Sequence, residues 1–371
     1  MRIGFIVCSF ISLVACNPKS DTGAPVHNYA VNHATGFSVL KYDNYTKVTI
    51  RNPWDTLQNL QQYILVRKGD KLPSPLPQGT VVRIPLESVI AYGALQCSIL
   101  EELKVTETLK GVCESKYIDL PFVKRGIESG LIPDVGEAMA PDVEKIIELE
   151  PEAILTSPFQ NMSYGRVSKT GIPLIECADY MERTPLGRAE WIRFHGLFYD
   201  KEALADSIFN ETCKRYQELT ALAATTEERP SVISEQKTGP TWYVPGGKSY
   251  MSNIFKDAGA RYIWENDNSP GSLALSFEEV FDKGVDADFW LIKFNSATPL
   301  DYTQLKNNFP LNARFKAWRE KNIYTCNTGE VAYYEETPFH PDRLLVDMIA
   351  VFHPELLPAY QRVYFKPMEG N

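Results

Sequence analysis

No stretch of this 371-residue chain concentrates basic side chains. Its 38 lysines and arginines are outnumbered by 47 aspartates and glutamates, for a net charge of −9 at pH 7. A nucleic-acid partner needs a basic face to neutralise phosphate, so that class is excluded. Cysteine is sparse, with seven residues and none in a Cys-x-x-Cys or Cys/His spacing, which argues against zinc or dithiol chemistry. The five histidines are scattered: His27 and His33 in a polar N-terminal stretch, His195 on a predicted helix, His340 and His353 before prolines. Bare-metal capture, which requires convergent ligands, has no basis in that distribution. Catalytic motifs are missing too. Gly246-Gly-Lys-Ser249 has the form of a phosphate-loop ending, but Trp242 stands where the first glycine is required, and neither G-x-S-x-G nor H-E-x-x-H occurs. No enzyme is expected.

Long apolar runs are also missing after residue 14, which excludes a membrane span in the body of the chain. The first 15 residues are different. Arg2 precedes an uncharged apolar run, too short to span a bilayer, that ends in Leu13-Val14-Ala15-Cys16. This reads as a lipoprotein signal peptide (1–15), with Cys16 as the acylated residue and the membrane reached only through that lipid. The mature chain is then extracytoplasmic, on the periplasmic side. Five cysteines remain besides Cys16, an odd number, and read as buried small hydrophobes.

The 44% hydrophobic content suffices for one or two cored domains. Residues 16–36 are polar and turn-rich, a tether. Period-two runs at 37–42, 45–51 and 63–67 predict an antiparallel β extension over 37–78, closed by the proline-rich stretch 72–79. From residue 79 to 184 short β-branched runs alternate with amphipathic segments, the signature of a parallel α/β lobe. Strands are expected at 80–84, 109–113, 153–156 and 172–176, with helices at 88–103 and 142–149. Residues 185–228 form linking helices: Thr184 caps the first, and Asp200 caps a second that runs to about Thr225 and reaches roughly 36 Å at 1.5 Å per residue. A second α/β lobe fills 229–371. Segments 144–156 and 278–292 share a glutamate that opens a helix and an alanine nine places on that leads a strand, which suggests related lobes.

Together these features resemble the class III substrate-binding proteins of ABC importers for ferric siderophores, haem and cobalamin, over about residues 80–358. The matching segments are 142–152, 275–280, 239–250, 257–260 and 340–347. The resemblance implies that Glu144 and Glu278, one on each lobe, dock on the permease dimer; each also sits in the first turn of its predicted helix, where an acid complements the dipole. The 37–67 region lies outside the resemblance.

Ligands in two-lobe α/β proteins sit where strand carboxyl ends face across a crevice. The loops predicted there are rich in aromatics, which give large contact area with few torsions to freeze. The candidate contacts are Tyr92, Tyr117, Phe159, Trp242, Tyr243, Tyr250 and Tyr333, with Lys116, Arg166, Arg183 and Lys293 available to an anionic chelate. The expected ligand is a ferric siderophore-type chelate, with no cofactor and no directly bound metal. Cobalamin and haem are the alternatives within the family, as is a surface scavenger without a permease. Cobalamin-binding relatives tend to carry tryptophan six places before each docking glutamate; Ala138 and Ser272 stand there in this chain.

Overall fold

The structure is a computed structural model that describes residues 25–370. The signal peptide, Cys16 and the first part of the tether lie outside the described residues. Among the described residues no helix is long and apolar enough to cross a membrane.

Two parallel sheets make the lobes. In the first, Leu109–Val112, Val89–Ala91, Ala153–Thr156 and Leu174–Glu176 lie side by side, all parallel. In the second the neighbours are Arg261–Tyr262, Ser231–Ser234, Phe289–Phe294 and Ile323–Asn327, again parallel, with Lys366–Pro367 added antiparallel at the edge. Counted along the chain, both sheets run second, first, third, fourth. The helix before the third strand is Val143–Glu148 in one lobe and Phe277–Gly284 in the other. The shared glutamate pattern of the sequence therefore marks equivalent places in two lobes of one topology.

Four differences from the sequence reading have simple causes. Val89–Ala91 is a strand, and its helix starts only at Ala94, where 88–103 reads as one helix; three apolar residues are too few to show a period. Thr80–Ile84 pairs in parallel with Asn59–Arg67 and so joins the N-terminal sheet instead of the first lobe's. The long helix is Glu202–Ala223, about 33 Å, and Asp200 does not cap it. Asp200 takes a left-handed backbone (φ 57°) and its carboxylate pairs with Arg67 at 2.6 Å. Finally, the last part of the tether is ordered structure: His27–Tyr29 is a strand on the N-terminal sheet.

The extension is not a separate body. Val39, Val48, Ile50, Tyr63 and Val82 share one core with Val89 and Leu155 of the first lobe and with Trp191 and Phe194 of the linking helices. Tyr63 also extends the lobe's edge strand, donating its hydroxyl to the Leu174 carbonyl and accepting from the Glu176 amide, both at 2.8 Å. The long helix serves both lobes because its apolar stripe crosses their boundary. Ala205 and Phe209 enter the first core, Tyr216 and Ala223 the second. The lobes also touch directly, through Ser98 Oγ to the Glu335 carbonyl (2.8 Å) and Glu102 Oε1 to His340 Nε2 (3.0 Å). The described cysteines are all free, and burial pushes the thiols of Cys97, Cys113 and Cys326 up to about 12.

His195, in the helix Trp191–Gly196, is fully buried against Phe194 and Phe339, and neither ring nitrogen has a partner among the described residues. Burial lowers its pKa from 6.5 to about 3. The unfolded chain protonates this ring first, so the stability it contributes is complete above pH 6.5. Below that it falls by about 1.4 kcal/mol per pH unit. His195→Leu should match the wild type within about 1 kcal/mol at pH 7, since no hydrogen bond is lost, and exceed it by roughly 2–3 kcal/mol at pH 4.5. Urea unfolding at the two pH values checks this; parallel pH dependence in both proteins would refute it.

Candidate functional site

A cavity of about 1130 Å³ lies between the two lobes, above the 300–1,000 Å³ usual for small-molecule pockets. On the first-lobe side it is lined by the loop after the fourth strand, including Tyr180, Glu182 and Arg183, and by Arg188 of the helix Pro185–Ala189. On the second-lobe side it meets the carboxyl ends of the first and third strands through Glu235 and Lys293, then Tyr243, Tyr250, Tyr333 and Tyr334. The first and third strands are neighbours whose connections leave in opposite directions, the switch point at which open α/β sheets hold ligands.

The aromatic candidates divide by strand and helix geometry. Tyr243, Tyr250 and Tyr333 line the cavity. Tyr243 is 55% exposed, whereas Trp242 beside it is fully buried. Alternation along Thr241–Pro245 turns one side chain to the cavity and the next into the core, where the Trp242 indole stacks on Trp290 at 5.4 Å and donates to the Ser234 carbonyl at 3.1 Å. Trp242 is thus a core residue and not a contact. Tyr92 is buried and lines a different, smaller cavity of about 190 Å³ with Tyr164 and Arg166. Tyr117 and Phe159 are exposed and line neither. The neighbouring Tyr180 and Tyr334 line the main cavity although the sequence singled out neither.

Within the cavity wall most polar groups are already matched. Arg188 pairs with Asp179 at 3.0 Å and lies over the Tyr250 ring, whose hydroxyl donates to the Thr337 carbonyl at 2.9 Å. Burial pushes the Asp179 carboxyl up, against the pull of Arg188. Lys293 pairs with Glu235; burial disfavours the ammonium, but the carboxylate beside it wins and its pKa is raised. Lys293 therefore stays charged. Burial likewise pushes the Tyr250 and Tyr333 hydroxyls up, so both remain neutral donors. Of the other cations named from sequence, Arg183 lines the cavity, Lys116 pairs with Glu137 at 3.0 Å and Arg166 with Glu144 at 3.6 Å.

The N-terminal segment supplies part of the wall, with His33, Thr35 and Gly36 from the end of the tether and Arg51 and Asn52 from the β extension. Two buried carboxylates hold its first loop. Glu190 accepts from the amides of Asn32 (3.0 Å), His33 and Ala34 (both 2.7 Å). Glu182 accepts from the amides of Thr35 and Gly36 and from the Trp191 indole. Nothing in the local sequence of 32–36 announces this, because every partner lies about 150 residues away.

Glu144 and Glu278 each occupy the second position of the corresponding helix, and both are exposed. Asp142 caps the first helix, accepting from the Lys145 amide; Ser276 and Glu279 cap the second reciprocally. In both helices the side-chain cap comes from another residue, so neither Glu144 nor Glu278 serves as one.

The chain is 26% identical over 321 residues to the uncharacterized lipoprotein MJ0878 of Methanocaldococcus jannaschii, covering 82% of this chain and 75% of that one. Its fold is similar to a possible iron-binding (periplasmic solute-binding) protein from Staphylococcus epidermidis, with TM-score 0.58, 18% identity, and 72% of this chain and 99% of that one covered. It is also similar to a protein of the ABC-type Fe3+-hydroxamate transport system of Saccharomonospora viridis, with TM-score 0.57, 17% identity, and 72% and 94% covered. Residues 89–328 match the family described as periplasmic binding protein. That span holds every parallel strand of both sheets and the helix between them, and the chain belongs to this family.

Proposed function

We propose that the protein is a lipid-anchored extracytoplasmic receptor that takes a ferric siderophore-type chelate into the interlobe cavity and delivers it to an ABC importer permease. The cavity carries this reading: about 1130 Å³, walled by Tyr180, Tyr243, Tyr250, Tyr333 and Tyr334, and bounded by both lobes. Tyrosine rings offer flat apolar faces and a large contact area to a bulky organic ligand. Iron enters as cargo inside the chelate. Support comes from the two structural neighbours described as a possible iron-binding protein and as an ABC-type Fe3+-hydroxamate transport system, and from the relative described as a lipoprotein, which agrees with acylation at Cys16. Ser272 lines the cavity and Ala138 lies outside it, each where cobalamin-binding relatives tend to carry tryptophan.

Titration of the purified protein's tryptophan fluorescence with a ferric tris-catecholate, a ferric trihydroxamate, ferric citrate, haem and cobalamin tests the ligand class. A sub-micromolar response to an iron chelate is expected. Flat titrations with all three chelates beside a clear response to haem or cobalamin would overturn the chelate reading.

A further inference from the structure

The family match begins at residue 89, yet Arg51, Asn52 and the 33–36 loop precede it and line the same cavity as Tyr243 and Tyr333. They are held firmly. The Arg51 amide donates to the Gly36 carbonyl at 2.8 Å, which ties the strand Thr46–Arg51 to the loop that Glu182 and Glu190 clasp. The turn after it is fixed by the Asn52 carboxamide oxygen, which accepts from the amides of Trp54 (2.9 Å) and Asp55 (3.1 Å). Arg51 therefore stands at the cavity on a rigid mount.

The charges in the wall do not cancel. Arg188 has Asp179 and Lys293 has Glu235, and the Glu182 carboxylate, bonded to backbone amides, offsets only one of the remaining positive charges. Among the described residues, Arg51 and Arg183 line the cavity with no carboxylate within ion-pair distance. Two unmatched guanidinium groups at a concave site focus a positive potential and offer forked donors to oxyanions. We propose that the N-terminal extension is a specificity wall of the ligand site, and that Arg51 together with Arg183 selects a multiply anionic ligand over an uncharged one of the same size. This rests on the reading of the cavity as the ligand site.

Calorimetric titration with a trianionic ferric tris-catecholate and an uncharged ferric trihydroxamate tests it. The tris-catecholate should bind more tightly, and added salt should weaken it. Arg51→Gln and Arg183→Gln should each weaken it by about tenfold, as loss of one charge-assisted hydrogen bond does, and leave the trihydroxamate unchanged. Neither side chain makes a hydrogen bond to the fold among the described residues, so melting temperatures should be unaltered. Equal losses for both chelates, or an Arg51→Gln protein that binds like the wild type, would overturn the role of the extension. Preference for the uncharged chelate would overturn charge selection while leaving a chelate receptor in place. Binding of neither chelate would remove the chelate reading and this inference with it.

Discussion

Exchanging Glu144 and Glu278 together for arginine should reduce chelate uptake by cells at least about 100-fold while leaving the purified protein's affinity within about twofold, because like charges brought together at an interface cost several kcal/mol. The two carboxylates sit at equivalent points of two lobes with one strand order, on helices that are capped by other residues. The Glu144 side chain is 82% exposed, and its only partner among the described residues is Arg166, itself exposed. Such a pair contributes at most about 1 kcal/mol, so the substitutions should not unfold the protein. They also lie outside the cavity wall, which separates docking from capture. Uptake at wild-type level in the double variant would sink permease delivery and favour a scavenger that works without a transporter. Glu144→Gln and Glu278→Gln should give intermediate uptake, since neutral side chains remove attraction without adding repulsion.

The second large effect concerns the clasp. Glu190→Ala removes a fully buried carboxylate that accepts three consecutive backbone amides and the Arg193 guanidinium at 2.8 Å. Breaking a buried ionic arrangement from one side costs about 3–5 kcal/mol, since the charges and donors left behind lose their partner. Urea unfolding should register that loss. Hydrogen exchange at residues 32–36 should speed up selectively, because the amides freed by the substitution belong to that loop. Ligand affinity should fall with it, as His33, Thr35 and Gly36 form part of the cavity wall. A variant within about 1 kcal/mol of the wild type, with exchange unchanged, would show that the loop is held by something else. Glu190→Gln keeps one acceptor oxygen and should lose less.

The clasp also shows how far sequence reasoning reached. The residues from Asn32 to Gly36 are polar and turn-forming, which locally describes a tether. Their ordering depends on Glu182 and Glu190, carried by elements that fold elsewhere in the chain. The extension was legible as β structure, because alternation of apolar and polar residues is a local property. Its fusion to the first-lobe core, through Phe37, Val48, Ile50 and Tyr63 against Trp191 and Phe194, was not. The same holds for Thr80–Ile84, whose β-branched run suits either sheet and which found its partner in Asn59–Arg67.

What the amino-acid sequence by itself determined is the α/β class, the two-lobe order with one long helix between, and the helix positions of Glu144 and Glu278. Each of these rests on periodicity or on a motif within some twenty consecutive residues. Only the tertiary structure decided which aromatics line the cavity. Tyr243 and Trp242 are neighbours of similar chemistry, and pleating sends one to the cavity and the other between Ser234 and Trp290. It also decided that Arg51 lines the cavity, because its amide bonds to Gly36 and Gly36 is held in turn by Glu182, 146 residues later, and no local pattern encodes contacts of that range.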